Sequence, residues 1–261
     1  MTNQWNGQLR KRFVAVSFKT YLDHEETVTW TQQLVEALGR DAHWSATVDV
    51  IEFPSFPSIP AVVALTRDSG IQVGAQDLSD SLAGPYTGEV TAQTLRQVGC
   101  SYVEVGHAER RLRHGEADAA IGRKLAMACQ GGLTPLLCVG EPEPGDASAA
   151  GSYCVGQVTA ALDHAAGAVD SLVVAYEPVW AIGAEAPASE DHIRTVCRIV
   201  RAAVEARWPK TASPPRVVYG GSAGPGLFQH MSTEVDGLFL GRSAHDPTNF
   251  IDTLTEVTCV D

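Results

Sequence analysis

Short runs of apolar, largely β-branched residues recur along the chain, each closing on a polar or glycine-rich stretch. They are Phe13–Ser17, Ala46–Glu52, Ile71–Ala75, Tyr102–Gly106, Pro135–Val139, Leu172–Tyr176, Arg216–Tyr219 and Gly237–Leu240. Continuous apolar runs of this length suit strands buried on both faces, as a parallel sheet requires. Between them the period becomes helical. Val28, Thr31, Leu34, Val35 and Leu38 share one helical face, as do Ile121, Leu125 and Ala128. Ser189, followed by Glu190 and Asp191, reads as a helix start, because acidic groups in the first turn suit the helix dipole. Eight strands about 30 residues apart, with helices between them, predict an α/β fold closed into a (β/α)8 barrel. A doubly wound open sheet is the alternative that the same pattern allows. Glu141–Gly151 reads as a polar loop after the fifth strand. No Pro-, Gly- or Ser-rich linker splits the chain, so residues 1–261 are expected to form one barrel domain.

Composition narrows the function classes. The chain has 261 residues and is 44% hydrophobic, enough for a sizeable core. Its formal net charge of −12 argues against sequence-independent nucleic-acid binding and against an anionic membrane surface. A small phosphate can still be held by a local device, such as a lysine or the N–H groups of a helix N-terminus. Met1–Arg12 is polar, with nothing like a signal peptide, and no apolar run approaches the roughly 20 residues that span a bilayer. The six cysteines are scattered without a C-x-x-C pair and read as reduced, mostly buried thiols. A cytoplasmic protein is expected.

In barrels of this kind the site is built from the loops after the C-terminal ends of the strands. Lys19 follows the first run, and His107 the fourth, with Glu109, Arg110 and Arg111 after it. Glu177 follows the sixth, Gly220-Gly221-Ser222 the seventh and Gly241-Arg242-Ser243 the eighth. Alone, such a lysine is usually solvated, such a histidine packs in a core, and a Glu before Pro sits in a turn. Together, a lysine, a histidine and a carboxylate at three strand ends make a proton-transfer site that needs no metal or organic cofactor. Glycine-rich turns after the last two strands match the usual phosphate position of such a barrel.

Several segments closely resemble triose-phosphate isomerase, in order and over nearly the whole chain. They are Gly74-Ala75-Gln76, Thr87-Gly88-Glu89, Val105-Gly106-His107-Ala108-Glu109-Arg110-Arg111, Cys138-Val139-Gly140-Glu141, Ala175 to Gly183 and Tyr219-Gly220-Gly221-Ser222. The resemblance implies that Glu177 abstracts the proton beside the substrate carbonyl. It implies that His107 polarises that carbonyl as a neutral imidazole, as is usual in this family, and that Lys19 offsets the enediolate and phosphate charge. Backbone N–H groups of Gly183, Ser222, Gly241 and Arg242 would cradle the phosphate, and Pro178–Ala188 would be a closing lid. Glu109 either orients Lys19 or pairs with Arg110 or Arg111. Gln76–Glu89 resembles the interdigitating loop through which family members form homodimers; an ordinary surface loop is the alternative.

The sequence departs from the family at four places. Ser17 stands where Asn is usual, and Ala108 where Ser is usual. The lid reads Gly183-Ala184-Glu185-Ala186-Pro187-Ala188 in place of Gly-Thr-Gly-Lys-Thr, and Gly241-Arg242 replaces Gly-Gly. All four are expected to face the substrate or its phosphate, which suggests a changed substrate on intact acid–base machinery. Asn to Ser removes volume and an amide beside the reacting carbons, making room for a hydroxymethyl group. That points to L-erythrulose 1-phosphate and D-erythrulose 4-phosphate, linked by the same enediolate step. The Ser-aromatic-Lys start, the Pro-Ala-Ser lid exit and Gly241-Arg242-Ser243 also resemble the tetrulose-phosphate isomerases of erythritol catabolism. Glycolytic triose-phosphate isomerisation is the alternative. A non-catalytic barrel used for binding is a remoter one, since Lys19, His107 and Glu177 all remain.

Overall fold

The computed structural model describes residues 4–5, 8–39, 43–208 and 212–259, so the polar stretch Met1–Arg12 lies partly outside it. Eight strands form the centre: β1 (Arg12–Ser17), β2 (Val48–Phe53), β3 (Gln72–Ala75), β4 (Tyr102–Val105), β5 (Thr134–Val139), β6 (Val173–Tyr176), β7 (Arg216–Tyr219) and β8 (Gly237–Leu240). Neighbours pair in parallel, and β8 returns to β1 from Gly237↔Phe13 to Leu240↔Val16. The sheet is therefore a closed (β/α)8 barrel and the open-sheet alternative is excluded. The short strands Gln4–Trp5 and Gln8–Leu9 pair antiparallel outside it.

Around the barrel lie α1 (His24–Leu38), α2 (Ile59–Thr66), α3 (Ala92–Gln97), α4 (Ala108–His114), α5 (Asp118–Gln130), α6 (Ala147–His164), α7 (Glu190–Arg207) and α8 (Pro247–Cys259). Two of them follow β4. Among the described residues β7 and β8 are joined without an α-helix, through one 3-10 turn at Phe228–His230. The connection begins Gly220-Gly221-Ser222-Ala223-Gly224-Pro225-Gly226, where glycine and proline disfavour a helix. Ser189 caps α7 as expected, its hydroxyl accepting from the N–H of His192. The polar loop after β5 is shorter than Glu141–Gly151. Asp146 caps α6 by accepting from the N–H groups of Ser148 and Ala149, so Ala147–Gly151 is already helical. The second strand begins later than expected, because His43–Ala46 closes into a 3-10 turn.

Apolar side chains form two cores, one between strands and helices and one inside the barrel. Phe13, Ala15, Ile51, Phe53, Leu136, Val218 and Phe239 fill the interior. At its N-terminal end Arg216 donates to Asp49 Oδ2 at 2.6 Å and to the Tyr102 hydroxyl at 2.8 Å. All six cysteines are free thiols, of which Cys259 is exposed. Among the described residues no helix is long and apolar enough to cross a membrane.

Candidate active site

Each candidate side chain is set by the end of a strand. Lys19, just past β1, has φ +50°, a left-handed conformation that a non-glycine residue holds only under external constraint. Gln76, just past β3, supplies part of that constraint. Its Nε2 donates to the carbonyls of Lys19 and Phe53, each at 2.9 Å. Lys19 Nζ donates to Glu109 Oε1 at 2.8 Å. Burial alone would lower the Lys19 pKa. The hydrogen bond to Glu109 and the charges of Glu177, Glu109 and Glu104 outweigh it and leave the pKa raised. Of the two arrangements open to Glu109, the structure has the pair with Lys19. Arg110 bonds instead to Glu116, and Arg111 to the Gly106 carbonyl and Asp118.

His107 ends the β4 turn and caps α4. Its Nδ1 accepts from the Glu109 N–H at 3.2 Å. A neutral ring so held must carry its proton on Nε2, the nitrogen on the Glu177 side. Nε2 lies 3.6 Å from Glu177 Oε2. Both atoms are buried, and neither has a hydrogen-bond partner among the described residues. Glu177 itself is fitted tightly. A Cβ at Gly140 would lie 1.9 Å from its carbonyl oxygen, and one at Gly220 would lie 2.7 Å from its Cγ. Gly140, after β5, thus leaves room for the Glu177 backbone, and Gly220, after β7, for its carboxylate.

These groups open on a cavity of about 530 Å³, lined also by Ser17, Gly183, Ser222, Gly241 and Arg242. The structure therefore brings Lys19, His107, Glu109 and Glu177 and the predicted phosphate turns to one place. Pro178–Ala188 forms one wall. At its entry Trp180 Nε1 donates to Glu141 Oε1 at 2.8 Å, and the Val179 N–H donates to the Glu141 carbonyl at 3.0 Å. At its exit the Ala188 N–H donates to the Tyr219 hydroxyl at 3.1 Å. Between them Ser222 Oγ lies 2.8 Å from the Ala181 carbonyl and 3.0 Å from that of Ala184, while Arg242 Nη2 donates to the Gly183 carbonyl. The arginine that replaces a glycine therefore ties the β8 turn to the opposite wall.

Sequence reading missed several members. Gln76 and Glu141 lie in quoted motifs, but their clamping contacts are made only across the fold. Glu104 went unnoticed inside the β4 run, although a carboxylate in a buried apolar strand was itself a signal. It is 3% exposed, and burial pushes its pKa up to about 8, with the nearby Ser17 hydroxyl acting in the opposite direction. One expectation is corrected. Ala108, the first residue of α4, does not line the main cavity; it lines a smaller one of about 290 Å³ beside Leu112 and Tyr153.

Comparison with known proteins agrees with this geometry. Residues 12–257 match the family described as triosephosphate isomerase. The chain belongs to the triosephosphate isomerase family. It is 42% identical over 248 residues to an L-erythrulose-1-phosphate isomerase of Pectobacterium atrosepticum, covering 92% of this chain and 93% of that one. It is 36% identical over 248 residues to a triosephosphate isomerase of Corynebacterium efficiens, covering 92% and 94%. To a triosephosphate isomerase of Alkalilimnicola ehrlichii it is 39% identical over 230 residues, covering 85% and 92%. The chain is thus an isomerase of this family, and its departures at Ser17, Glu185 and Arg242 all border the cavity.

Proposed function

We propose that this isomerase interconverts L-erythrulose 1-phosphate and D-erythrulose 4-phosphate, in erythritol catabolism. The observation that carries the choice is the 42% identity to the Pectobacterium L-erythrulose-1-phosphate isomerase, against 36% over the same length for the Corynebacterium triosephosphate isomerase. The small Ser17 side chain agrees with it, because it lines the cavity beside Lys19 and His107.

In this reading Glu177 removes the proton from C3 of L-erythrulose 1-phosphate while His107 Nε2–H donates to the C2 carbonyl oxygen. The C3–H bond breaks, its electron pair moves toward C2, and negative charge builds on the C2 oxygen as an enediolate forms, hydrogen-bonded to His107. Lys19 and the preorganised donors offset its charge. Glu177 then returns its proton to C2, while the C3 hydroxyl proton passes by way of His107 to the C2 oxygen and the carbonyl forms at C3. No electron leaves the molecule, and the phosphate stays on its carbon. The backbone N–H groups of Gly183, Ser222, Gly241 and Arg242 hold that phosphate. Glu109 keeps Lys19 in place, and the Pro178–Ala188 wall excludes water.

Values of kcat/KM for L-erythrulose 1-phosphate and glycerone phosphate test the assignment. The four-carbon substrate is expected to be favoured. A preference for the three-carbon one would leave triose-phosphate isomerisation as the activity. We further infer a homodimer through Gln76–Glu89, where Leu82 and Tyr86 stand 60% and 48% exposed. Sedimentation of the protein with both side chains changed to Ser should then give the monomer mass; an unaltered dimer would put the interface elsewhere.

A further inference from the structure

Glu104 is the ionisable group beside the site that the proposed proton transfer leaves unused. It lies on β4 two residues beyond Tyr102, on the strand face that looks into the barrel, and is 3% exposed. Its Oε1 has no hydrogen-bond partner among the described residues. Ser17 Oγ, on β1, is close enough to act on the Glu104 carboxyl, yet it too is buried without a well-formed hydrogen bond among the described residues. A buried carboxyl oxygen left unpaired is destabilising, so its presence in a packed barrel leaves a hydrogen-bonding position open to a ligand.

The position says what that ligand is. Glu104 lines a second cavity of about 590 Å³, and Ser17, Lys19, His107 and Glu109 line both this cavity and the first. Those side chains therefore stand at the junction of the two. Gly183, Ser222 and Gly241 border the first cavity and not the second. A phosphorylated chain laid from those turns past Glu177 and His107 would point its far end toward the second cavity, which Ser17 and Glu104 line. In a three-carbon substrate the reacting carbon bears only hydrogen on that side. In a four-carbon one it bears a hydroxymethyl group.

We propose that Glu104, together with Ser17, forms a subsite that hydrogen-bonds the terminal hydroxyl of a four-carbon sugar phosphate and so sets the preference for four carbons over three. This rests on the tetrulose-phosphate reading above. Burial holds the Glu104 pKa at about 8, with the Ser17 hydroxyl and Lys19 opposing the rise and Glu177 and Glu109 adding to it. Near neutral pH the group is then mainly the acid, which can both donate to a hydroxyl and accept from it. A site built to bond a hydroxyl discriminates against the analogue lacking it, because its own buried polar atoms are left unpaired. The rival role is electrostatic, since Glu104 also adds to the field that raises the Lys19 pKa. That role would touch both substrates alike, because Lys19 serves both.

The test compares the parent with Glu104→Leu and Glu104→Gln, each first checked for parental circular dichroism. Both substrates are turned over, and the Kd values of a tetritol phosphate and of glycerol phosphate are measured; these alcohols bind but do not isomerise. Glu104→Leu should lower kcat/KM for the four-carbon substrate by on the order of 10²-fold while leaving the three-carbon value within about threefold. Glu104→Gln, which keeps a donor and an acceptor, should recover most of the loss. Equal loss on both substrates, or an unchanged ratio, would overturn the subsite. The parent's own preference decides the four-carbon reading separately. If the parent prefers the triose substrate, binding still judges the subsite: Glu104-dependent tightness for the tetritol phosphate supports it, and equal Kd shifts for both alcohols sink it.

Discussion

At the N-terminal end of the barrel interior, Arg216 bonds Asp49 at 2.6 Å and the Tyr102 hydroxyl at 2.8 Å. That hydroxyl in turn donates to Asp49 at 3.1 Å, and Lys11 lies 3.5 Å from the other Asp49 oxygen. The Arg216 guanidinium also lies over the Phe13 ring, 5.1 Å from its centroid. At the C-terminal end, Ser17 Oγ, Glu104 Oε1, His107 Nε2 and Glu177 Oε2 are buried too, yet have no hydrogen-bond partners among the described residues. A closed network holds a fold together and has nothing left to offer a ligand. An open one weakens the fold and keeps its donors and acceptors free. The barrel thus separates stability from chemistry along its own axis.

The sharpest way to break this comparison is at the closed end. Arg216→Leu should leave the Asp49 carboxylate short of its main partner and lower the unfolding free energy by about 3 kcal/mol, as when one member of a buried pair is removed. Urea denaturation measures it. Turnover per folded molecule should stay within about threefold, since neighbouring layers of the interior are apolar. A large loss of kcat/KM in the folded variant would mean that the two ends are coupled.

The open end should answer in the opposite sense. Glu177→Asp withdraws the carboxylate by about 1 Å and should cut turnover by on the order of 10²-fold, while stability changes by less than about 1 kcal/mol. Steady-state rates and a melting curve decide it together. A variant within about threefold of the parent rate would remove Glu177 from the mechanism.

How much of this was legible in the sequence follows the same division. The strands were visible because a parallel barrel demands runs that are apolar throughout, and all eight lie within a few residues of where the runs put them. Lys19, His107 and Glu177 were visible because strand ends are fixed by the fold and their motifs resemble a family. That same continuous apolarity hid Glu104. A strand buried on both faces gives no alternation, so its phase cannot be read. Glu52 on β2 and Glu104 on β4 look alike in sequence, yet Glu52 faces α1, where its Oε2 lies 2.6 Å from Thr31 Oγ1. Gln76, Glu141 and Arg242 act through contacts at long sequence separation, which no local pattern encodes.

Ser17→Asn refines the open end by volume rather than by charge. An amide there should refill space beside the reacting carbons and lower kcat/KM for the four-carbon substrate more than for the three-carbon one. If Ser17 provides room alone, the change in ratio should be modest, about 10–200-fold, as for a methylene in an apolar pocket. Measuring both substrates on parent and variant shows it. An unchanged ratio would mean that the extra group lies elsewhere.

The smallest effect per unit of the variable is on pH, and it separates the two look-alike glutamates. Burial raises both Glu52 and Glu104 from 4.5 to about 8. Thr31 Oγ1 lies 3.0 Å from the Thr27 carbonyl as well as 2.6 Å from Glu52. With one hydroxyl proton it can serve both only if Glu52 is the acid, which agrees with that rise. In the folded chain each glutamate keeps its proton between pH 4.5 and about 8, while the unfolded chain has released it. The unfolded state then binds fewer protons, so stability falls as pH rises through that window, by up to about 1.4 kcal/mol per pH unit for each group. Below the window both states are protonated and the effect vanishes; above it both are ionised and the full penalty has been reached. Urea unfolding at pH 5.5, 6.5 and 7.5 should therefore show the parent weakening, with Glu104→Gln and Glu52→Gln each flattening the slope. A tetritol phosphate should distinguish them. Bound against the acid form of Glu104, it favours the protonated carboxyl and should steepen the parent's slope toward pH 8, while the share from Glu52, sealed between β2 and α1, should not change. If the ligand leaves the parent's slope unchanged, Glu104 is as closed to it as Glu52, and the contrast between the two ends of the barrel loses its sharpest example.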